Sequence, residues 1–169
     1  RMESVSANPG YFTDPPDWGT AATSLSLLGG TIRISDLRAG HIDHALSISI
    51  PQARAGVFVS PAQRTDGKLD SPRAIPEGTR FRLDPKLDIS RLGLGPVTRM
   101  LAEAAQRYGM FVRDQGGSVA FYAEAATRSG PDPYYKPSGL FRGQSPEAIT
   151  AAFPWRDLQV IRAPQQSPG

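Results

Sequence analysis

The stretch His41-Ile42-Asp43-His44-Ala45-Leu46-Ser47-Ile48-Ser49-Ile50 decides the fold that this sequence predicts. Apolar and polar residues alternate along it, and successive side chains of a β-strand point to opposite faces of a sheet. We therefore predict a strand over residues 41–50 with two unlike faces. One face carries the apolar residues and His44 and is expected to face the core. The other carries His41, Asp43 and the serines and is expected to face solvent or a cleft.

Glycine and proline divide the rest of the chain into short segments. The 169 residues include 17 glycines and 16 prolines, a composition that favours turns and short strands over long helices. Further strands are predicted at 30–34, 56–60, 79–83, 110–113, 118–122 and 158–161. A turn at Asp114-Gln115-Gly116-Gly117 is predicted to join 110–113 and 118–122 in a hairpin.

Helical segments are predicted at three places. Pro96 and Gly109 flank an apolar stripe at helical spacing, which predicts a helix over 96–108 that covers a sheet. A single helical turn is predicted at 35–40, with Ser35 as its cap and Gly40 closing it. A short helix is predicted over 145–152.

These elements predict a mainly β fold with one domain. Short strands, long loops and one covering helix indicate an antiparallel β-sandwich, jelly-roll-like, with the α-helix at about 96–108 and a short C-terminal helix. We expect a single β-sandwich domain over 1–162 and a polar tail over 163–169. The opening Arg1-Met2-Glu3 shows no basic-then-apolar leader, which indicates a trimmed chain or a fragment. An upstream segment or a second chain would then complete the fold.

Charge and composition exclude several classes of function. The net charge is +3 and the basic residues are scattered among acids, so nucleic acid is not an expected partner. Cysteine is absent, which excludes disulfides, zinc–thiolate sites and thiol nucleophiles. No apolar run approaches the roughly 18 residues of a membrane span. No cofactor is expected, and no metal at His41 and His44, because a strand places them on opposite faces.

The predicted strand 41–50 carries the two candidate catalytic residues, Asp43 and His44. His41 and Asp43 would lie about 7 Å apart on one face, which suits an acid/base pair at a glycosidic oxygen inside a cleft. Alternatively, Asp43 only accepts hydrogen bonds from the backbone or an arginine at the start of the strand. His44 is either the working group on the floor of a pocket or a buried imidazole with a hydrogen-bond partner in the core.

Candidate substrate-binding residues come from the same strand and from the strand predicted at 79–83. His41 is one, and Arg80 and Arg82 share a polar face with Asp84. If the two strands are neighbours, an arginine would lie near Asp43 and pair with its carboxylate. The alternative is a set of cross-strand ion pairs on a solvated sheet face.

Carboxylates and aromatic rings in loops complete the candidate substrate-binding set. Glycoside hydrolysis normally uses two carboxylates about 5–10 Å apart, and the chain offers Asp43, Asp66, Asp84 and Glu124. Asp66 lies in the long polar loop 61–78, and loops of this length are often functional. Trp18 and Tyr134 lie in Pro/Gly-rich loops with Tyr11, Phe12 and Tyr135. Such rings either stack on sugar faces or pin their loops to the core.

Four segments together resemble a group of poorly characterised bacterial extracellular proteins. They are Gly40 to Leu46 with the IDHAL run, Pro61 to Gly67, Pro76 to Leu83 with RFRL, and Arg107 to Gly116 with RYGM. The similarity spans roughly residues 18 to 162. It departs at Ser60, where relatives often carry tryptophan. The resemblance implies secretion, a jelly-roll-like fold similar to that of polysaccharide-acting enzymes, and a further upstream segment.

Three functions remain open from the sequence. The first is a secreted carbohydrate-associated domain that hydrolyses or binds polysaccharide, or another extracellular ligand, through the Asp43 face. The second is a structural or adhesive extracellular module without catalysis, which self-assembles. The third is a small-molecule-binding barrel. A cleft that joins Asp43 to a second carboxylate would favour an enzyme, whereas a flat face with satisfied ion pairs would favour a structural module.

Overall fold

The computed structural model describes residues 21–126, 131–135 and 137–167 of the chain. Its helices are α1 (Ile34–Ala39), α2 (Pro96–Arg107) and α3 (Pro146–Ala151), with 3-10 turns at Ile89–Leu92 and Trp155–Asp157. Its strands are β1 (Leu46–Ile50), β2 (Ala53–Val59), β3 (Ile75–Glu77), β4 (Arg80–Leu83), β5 (Met110–Gln115), β6 (Ala120–Phe121), β7 (Leu158–Ile161) and β8 (Gln165–Gln166). Trp18, Tyr11 and Phe12 lie outside the described residues.

The strands form two mixed sheets. The larger has the order β6-β1-β5-β4-β7, and the smaller has the order β3-β2-β8. β1 runs parallel to β5, and β2 runs parallel to β3, while the other pairs are antiparallel. The protein is therefore a strand-rich fold with both α and β elements. The expectation of purely antiparallel sheets is wrong for the two parallel pairs.

The central strand β1 begins at Leu46, five residues later than predicted. Its parallel partner β5 begins at Met110, which is paired with Leu46, and the Leu46 N–H donates to Gly109 O at 3.0 Å. Among the described residues, no strand pairs with 41–45, and an extended segment without a partner has no ladder of hydrogen bonds to hold it. The prediction of a strand over 41–45 is wrong for this reason.

Within β1 the predicted apolar face packs in the core as expected. The serine face, which was expected to meet solvent or a cleft, is buried as well. Leu46, Ile48 and Ile50 belong to the hydrophobic core. Ser47 and Ser49 are also buried, at 1% and 7% exposure. Their hydroxyl groups donate to backbone carbonyls of covering loops, Ser47 to Gly30 O and Ser49 to Ser118 O. Small hydroxyl side chains suit this position because each can satisfy its hydrogen bond against a nearby backbone.

The predicted hairpin of β5 and β6 does not form. β1 lies between them, parallel to β5 and antiparallel to β6. A strand has two edges, and those of β5 are taken by β1 and β4, so β6 pairs with the far edge of β1. A bulge after Ile48 also shifts the register, and Asp114 rather than Arg113 is paired with Ser49.

The helix α2 covers the larger sheet, as predicted. Pro96 opens it after the N-cap Gly95, and it ends at Arg107. Val97, Met100 and Leu101 are buried on its inner face and join the core with strand residues such as Leu83 and Met110. The apolar stripe therefore placed this helix correctly against a sheet.

The smaller sheet uses segments that were predicted to be irregular. β3 lies inside the predicted loop 61–78, and β8 lies inside the predicted polar tail 163–169. β8 pairs with the end of β2, and the Gln165 side-chain oxygen accepts from Arg54 at 3.0 Å. Both strands are short, β3 contains a proline and β8 consists of two glutamines, so their pairing to β2 rather than a local pattern makes them strands.

The two shorter helices are close to their predicted places. α1 begins at Ile34 with Arg33 as its N-cap, so the predicted cap at Ser35 is wrong, while Gly40 ends the helix in the left-handed conformation as expected. α3 spans Pro146–Ala151 and is capped by the Ser145 hydroxyl, which accepts from Ala148 N–H.

Candidate functional site

The candidate catalytic residue Asp43 lies on an open surface. The side chains of His41 and Asp43 are 61% and 68% exposed, and His41 Nε2 is 3.1 Å from Asp43 Oδ2. The Tyr108 hydroxyl donates to the other carboxylate oxygen at 3.4 Å. Asp43 is thus a hydrogen-bond acceptor within a surface cluster, and the partners seen among the described residues are His41 and Tyr108 rather than the backbone or an arginine.

The second candidate, His44, connects β1 to α1. Its Nε2 is 3.1 Å from Asp36 Oδ2, and its Nδ1 is 2.9 Å from Ala45 O. The same Asp36 oxygen accepts the N–H of Arg33, the N-cap of α1, at 2.8 Å. Asp36 therefore holds the start of the helix and the segment before β1 together through His44.

Replacing His44 with alanine is expected to lower the free energy of unfolding by about 1–2 kcal/mol, because it leaves the half-buried Asp36 without its side-chain partner. Chemical denaturation measures this loss. The matched control is His41→Ala, since His41 is exposed and its ion pair with Asp43 is fully solvated. Equal stability of the His44→Ala variant and the wild type would contradict the bridging role.

The candidate arginines do not approach Asp43. β5 lies between β4 and β1, so the condition for an Arg–Asp43 pair is not met. Arg80 donates to Tyr108 O at 3.4 Å, and Arg82 donates to the Gln159 side chain at 3.3 Å. Both are exposed. They lie on a solvated sheet face but pair with neutral groups rather than with the acids that the sequence predicted.

Tyr134 is the predicted residue that lines a substantial cleft. We call this the aromatic cleft, a depression of about 750 Å³ whose lining includes Phe121, Glu124, Asp132, Tyr134, Tyr135, Phe141 and Trp155. A volume of this size is in the range of small-ligand sites. Its floor comes from core residues of α1 and α2, among them Leu37, Val97 and Leu101.

Three rings form one wall of the aromatic cleft. Tyr134 is buried and its ring centroid lies 4.8 Å from that of Phe141. The Tyr134 hydroxyl donates to Glu124 O. Tyr135 is 59% exposed and meets Phe141 edge-on at 5.7 Å. Tyr134 thus pins its loop to the core, which is one of the two interpretations from the sequence. Tyr135 presents its ring to solvent, where the other interpretation, stacking on a sugar face, stays a prediction.

The opposite wall is also aromatic. Phe121 of β6 stacks on Trp155 with centroids 5.5 Å apart and an interplanar angle of 25°. Phe153 packs against both, at 5.3 Å and 4.6 Å, and the Trp155 indole N–H donates to Thr150 O at 2.8 Å. These contacts fix the ring positions before any ligand is bound. Phe121, Phe141 and Trp155 were not candidates from the sequence. Their positions in the chain give no sign that the three rings line the same cleft.

Two exposed carboxylates, Glu124 and Asp132, lie at the rim of the aromatic cleft. Glu124 Oε2 accepts from Ile34 N–H, and Asp132 Oδ1 accepts from Tyr134 N–H, both at 2.8 Å. Burial raises the pKa of Tyr134 above its usual value, and the neighbouring charges of Glu124 and Asp132 raise it further. The phenol is therefore neutral at physiological pH. The rim offers hydrogen-bond acceptors beside apolar rings.

The remaining predicted carboxylates lie elsewhere. Asp84 ends β4, where its Oδ1 accepts from Lys86 N–H at 2.8 Å. Asp66 meets Glu77 and Asp114, and the carboxylate oxygens of all three lie within 4.8 Å of one another. We call these three residues the acid cluster. Sequence reasoning missed Glu77 and Asp114, because one was assigned to a polar loop and the other to a hairpin turn.

No protein-family model, curated protein or solved structure matches this chain. Among the described residues, no helix is both long and apolar enough to cross a membrane.

Proposed function

We propose that the protein is a carbohydrate-binding domain whose ligand lies in the aromatic cleft. The observation that supports this most directly is the exposed Tyr135 ring beside the two rim carboxylates, Glu124 and Asp132. Sugars have apolar C–H faces that pack on aromatic rings and hydroxyl groups that donate to carboxylates. A cleft that offers both, with rings already fixed by packing, suits such a ligand.

The wider setting of this proposal comes from the sequence. The resemblance of the IDHAL and RFRL segments to bacterial extracellular proteins supports secretion, a jelly-roll-like arrangement and a polysaccharide as the ligand. Hydrolysis is a further step, because it needs an acid and a second carboxylate on either side of the scissile bond. The described lining of the aromatic cleft provides three carboxylates for it, Glu124, Asp132 and Glu147.

Glycan binding to the Tyr135→Ala variant tests the proposal. An array of polysaccharides identifies a ligand for the wild type, and calorimetry then gives its affinity. We expect about a tenfold weaker affinity in Tyr135→Ala, since an aromatic contact of this kind contributes about 1–1.5 kcal/mol. The Tyr135→Phe variant is the matched control and should retain binding, because it keeps the ring. Failure of the wild type to bind any glycan, or unchanged affinity in Tyr135→Ala, would contradict the proposal.

A structural, self-assembling module is the second candidate, and the edge of β7 favours it. β7 is the last strand of the larger sheet, and its Val160 and Ile161 are 60% and 37% exposed. An apolar edge strand is a template for pairing with another chain. Concentration-dependent association in sedimentation, together with the absence of glycan binding, would support this candidate over the first.

A further inference from the structure

The side chain of Glu77 is fully buried and only partly satisfied. Its exposure is 0%. Glu77 Oε2 accepts from the backbone N–H of Asp66 at 3.1 Å. The other oxygen, Oε1, has no hydrogen-bond partner among the described residues. A buried carboxylate oxygen without a partner is costly, and Oε1 is therefore an acceptor that a cation would stabilise.

The same side chain lies where two other acids meet it. Asp66 comes from the loop before β3, Glu77 from β3 itself and Asp114 from β5, and their carboxylate oxygens are within 4.8 Å of one another. The bulge in β5 pairs Asp114 with Ser49 in place of Arg113. Three acids from separate parts of the chain are therefore held together by the fold and not by a local sequence pattern.

In the part of the chain that the structure describes, no cation pairs directly with the acid cluster, although the charge of Arg113 lowers the pKa of Asp114. Within the described ranges, no basic side chain forms an ion pair with any of the three acids. Arg113, the nearest arginine in sequence, is directed elsewhere, because its Nη1 donates to Leu27 O at 2.8 Å. Its guanidinium carbon lies 3.4 Å from the ring centroid of Tyr122.

The electrostatics of the acid cluster agree with this geometry. Burial raises the pKa of Glu77 to about 7; hydrogen bonds from the Thr65 hydroxyl and the Asp66 backbone oppose the rise, and the charges of Asp66 and Asp114 add to it. Burial and the charge of Asp66 also raise the pKa of Asp114. Without a cation, the folded protein holds the carboxyl groups of Glu77 and Asp114 in positions that disfavour their ionised forms.

We propose that Asp66, Glu77 and Asp114 bind a calcium ion. Hard divalent cations prefer oxygen ligands, whereas zinc prefers nitrogen and sulfur. Calcium accepts variable geometry with oxygen ligands at about 2.3–2.6 Å, so oxygens on opposite sides of the ion are about 5 Å apart. The separations in the acid cluster fall within this span. Asp66 is exposed and gives the ion a route from solvent to the buried Glu77.

A calcium ion here would join three parts of the fold. Asp66 belongs to the loop that follows β2, Glu77 to the smaller sheet and Asp114 to the larger sheet. The ion would therefore tie the two sheets and their connecting loop together. This inference uses none of the residues of the aromatic cleft and is independent of the proposed function.

Titration of the full chain with calcium chloride after EDTA treatment and dialysis tests the proposal. We expect one ion bound per chain by calorimetry. We also expect the melting temperature to rise on the order of 5–10 °C at a hundredfold excess over the dissociation constant. Magnesium chloride should bind more weakly, because magnesium demands near-ideal octahedral geometry and loses its water reluctantly.

Two variants and one control decide the outcome. Asp66→Asn and Asp114→Asn should each weaken calcium binding at least tenfold. Because Asp66 is exposed, the Asp66→Asn variant is expected to fold as the wild type does. The control Asp157→Asn changes an exposed acid outside the acid cluster and should bind calcium as the wild type does. Absence of both heat and a melting shift at 10 mM calcium, about ten times the dissociation constant of the weakest extracellular sites, would overturn the proposal. Equal losses of calcium affinity in Asp66→Asn, Asp114→Asn and the control Asp157→Asn would also overturn it.

Discussion

Replacing Gly78 with alanine is expected to lower the free energy of unfolding by about 2–5 kcal/mol. Gly78 has a φ of +82°, and a Cβ there would lie 1.9 Å from Val59 O and 2.9 Å from the Ala62 Cβ. The left-handed conformation costs an L-residue about 1–2 kcal/mol, and forcing apart a backbone contact adds about 1–3 kcal/mol. Because the position follows Glu77 directly, the change would also displace the acid cluster.

Denaturant unfolding of Gly78→Ala and Gly40→Ala separates the two contributions. Gly40 has a similar φ of +78°, but nothing lies within 4 Å of a Cβ placed there. Gly40→Ala should therefore lose only about 1–2 kcal/mol, the cost of the backbone conformation alone. Similar losses in the two variants would show that β2 does not approach Gly78 as closely as the structure has it.

The stability of the metal-free protein is expected to fall as the pH rises from 5 to 8, and Glu77→Gln should remove part of this fall. The pKa of Glu77 is 4.5 in the ordinary state and about 7 in the folded protein, so the folded form binds a proton that the unfolded form releases. The stabilising contribution is complete below pH 4.5 and is lost as the pH passes 7. A shift of this size corresponds to at most about 3 kcal/mol.

Urea unfolding in EDTA at pH 5 and pH 8 measures the effect. Glu77→Gln should match the wild type at pH 5 within about 1 kcal/mol and exceed it at pH 8 by about 2–3 kcal/mol, because the amide has no charge to bury. Glu103→Gln makes the same chemical change on the exposed face of α2 and should alter neither value. A Glu77→Gln variant that keeps the full pH dependence would assign it to other groups.

Several elements could be predicted from local sequence because local physics determines them. Pro96 and Gly109 mark the limits of α2, and the apolar stripe between them gave its buried face correctly. Ser145 caps α3 as its residue type favours. The strands predicted near 79–83 and 158–161 form as β4 and β7, since each carries alternating or β-branched residues.

The rest depended on contacts between distant residues. Residues 41–45 alternate like a strand, but no strand among the described residues pairs with them. The turn after Gln115 leads to β6, which pairs with the far edge of β1 instead of forming a hairpin with β5. The same reason hid the acid cluster, because Glu77 and Asp114 are separated by most of β4, α2 and β5. Tyr134 and Tyr135 could be named from their loop, but Phe121, Phe141 and Trp155, which line the same cleft, could not.

The parallel pairing of β1 with β5 also bears on how the chain reaches its native state. Residues 46–50 acquire their main partner only when residues 110–115 are present, so a loop of about sixty residues must close first. Contacts of such long range slow folding. During synthesis the Leu-Ser-Ile-Ser-Ile segment would remain without its neighbour until α2 and β5 had left the ribosome, and an unpaired apolar strand is prone to aggregate in that interval.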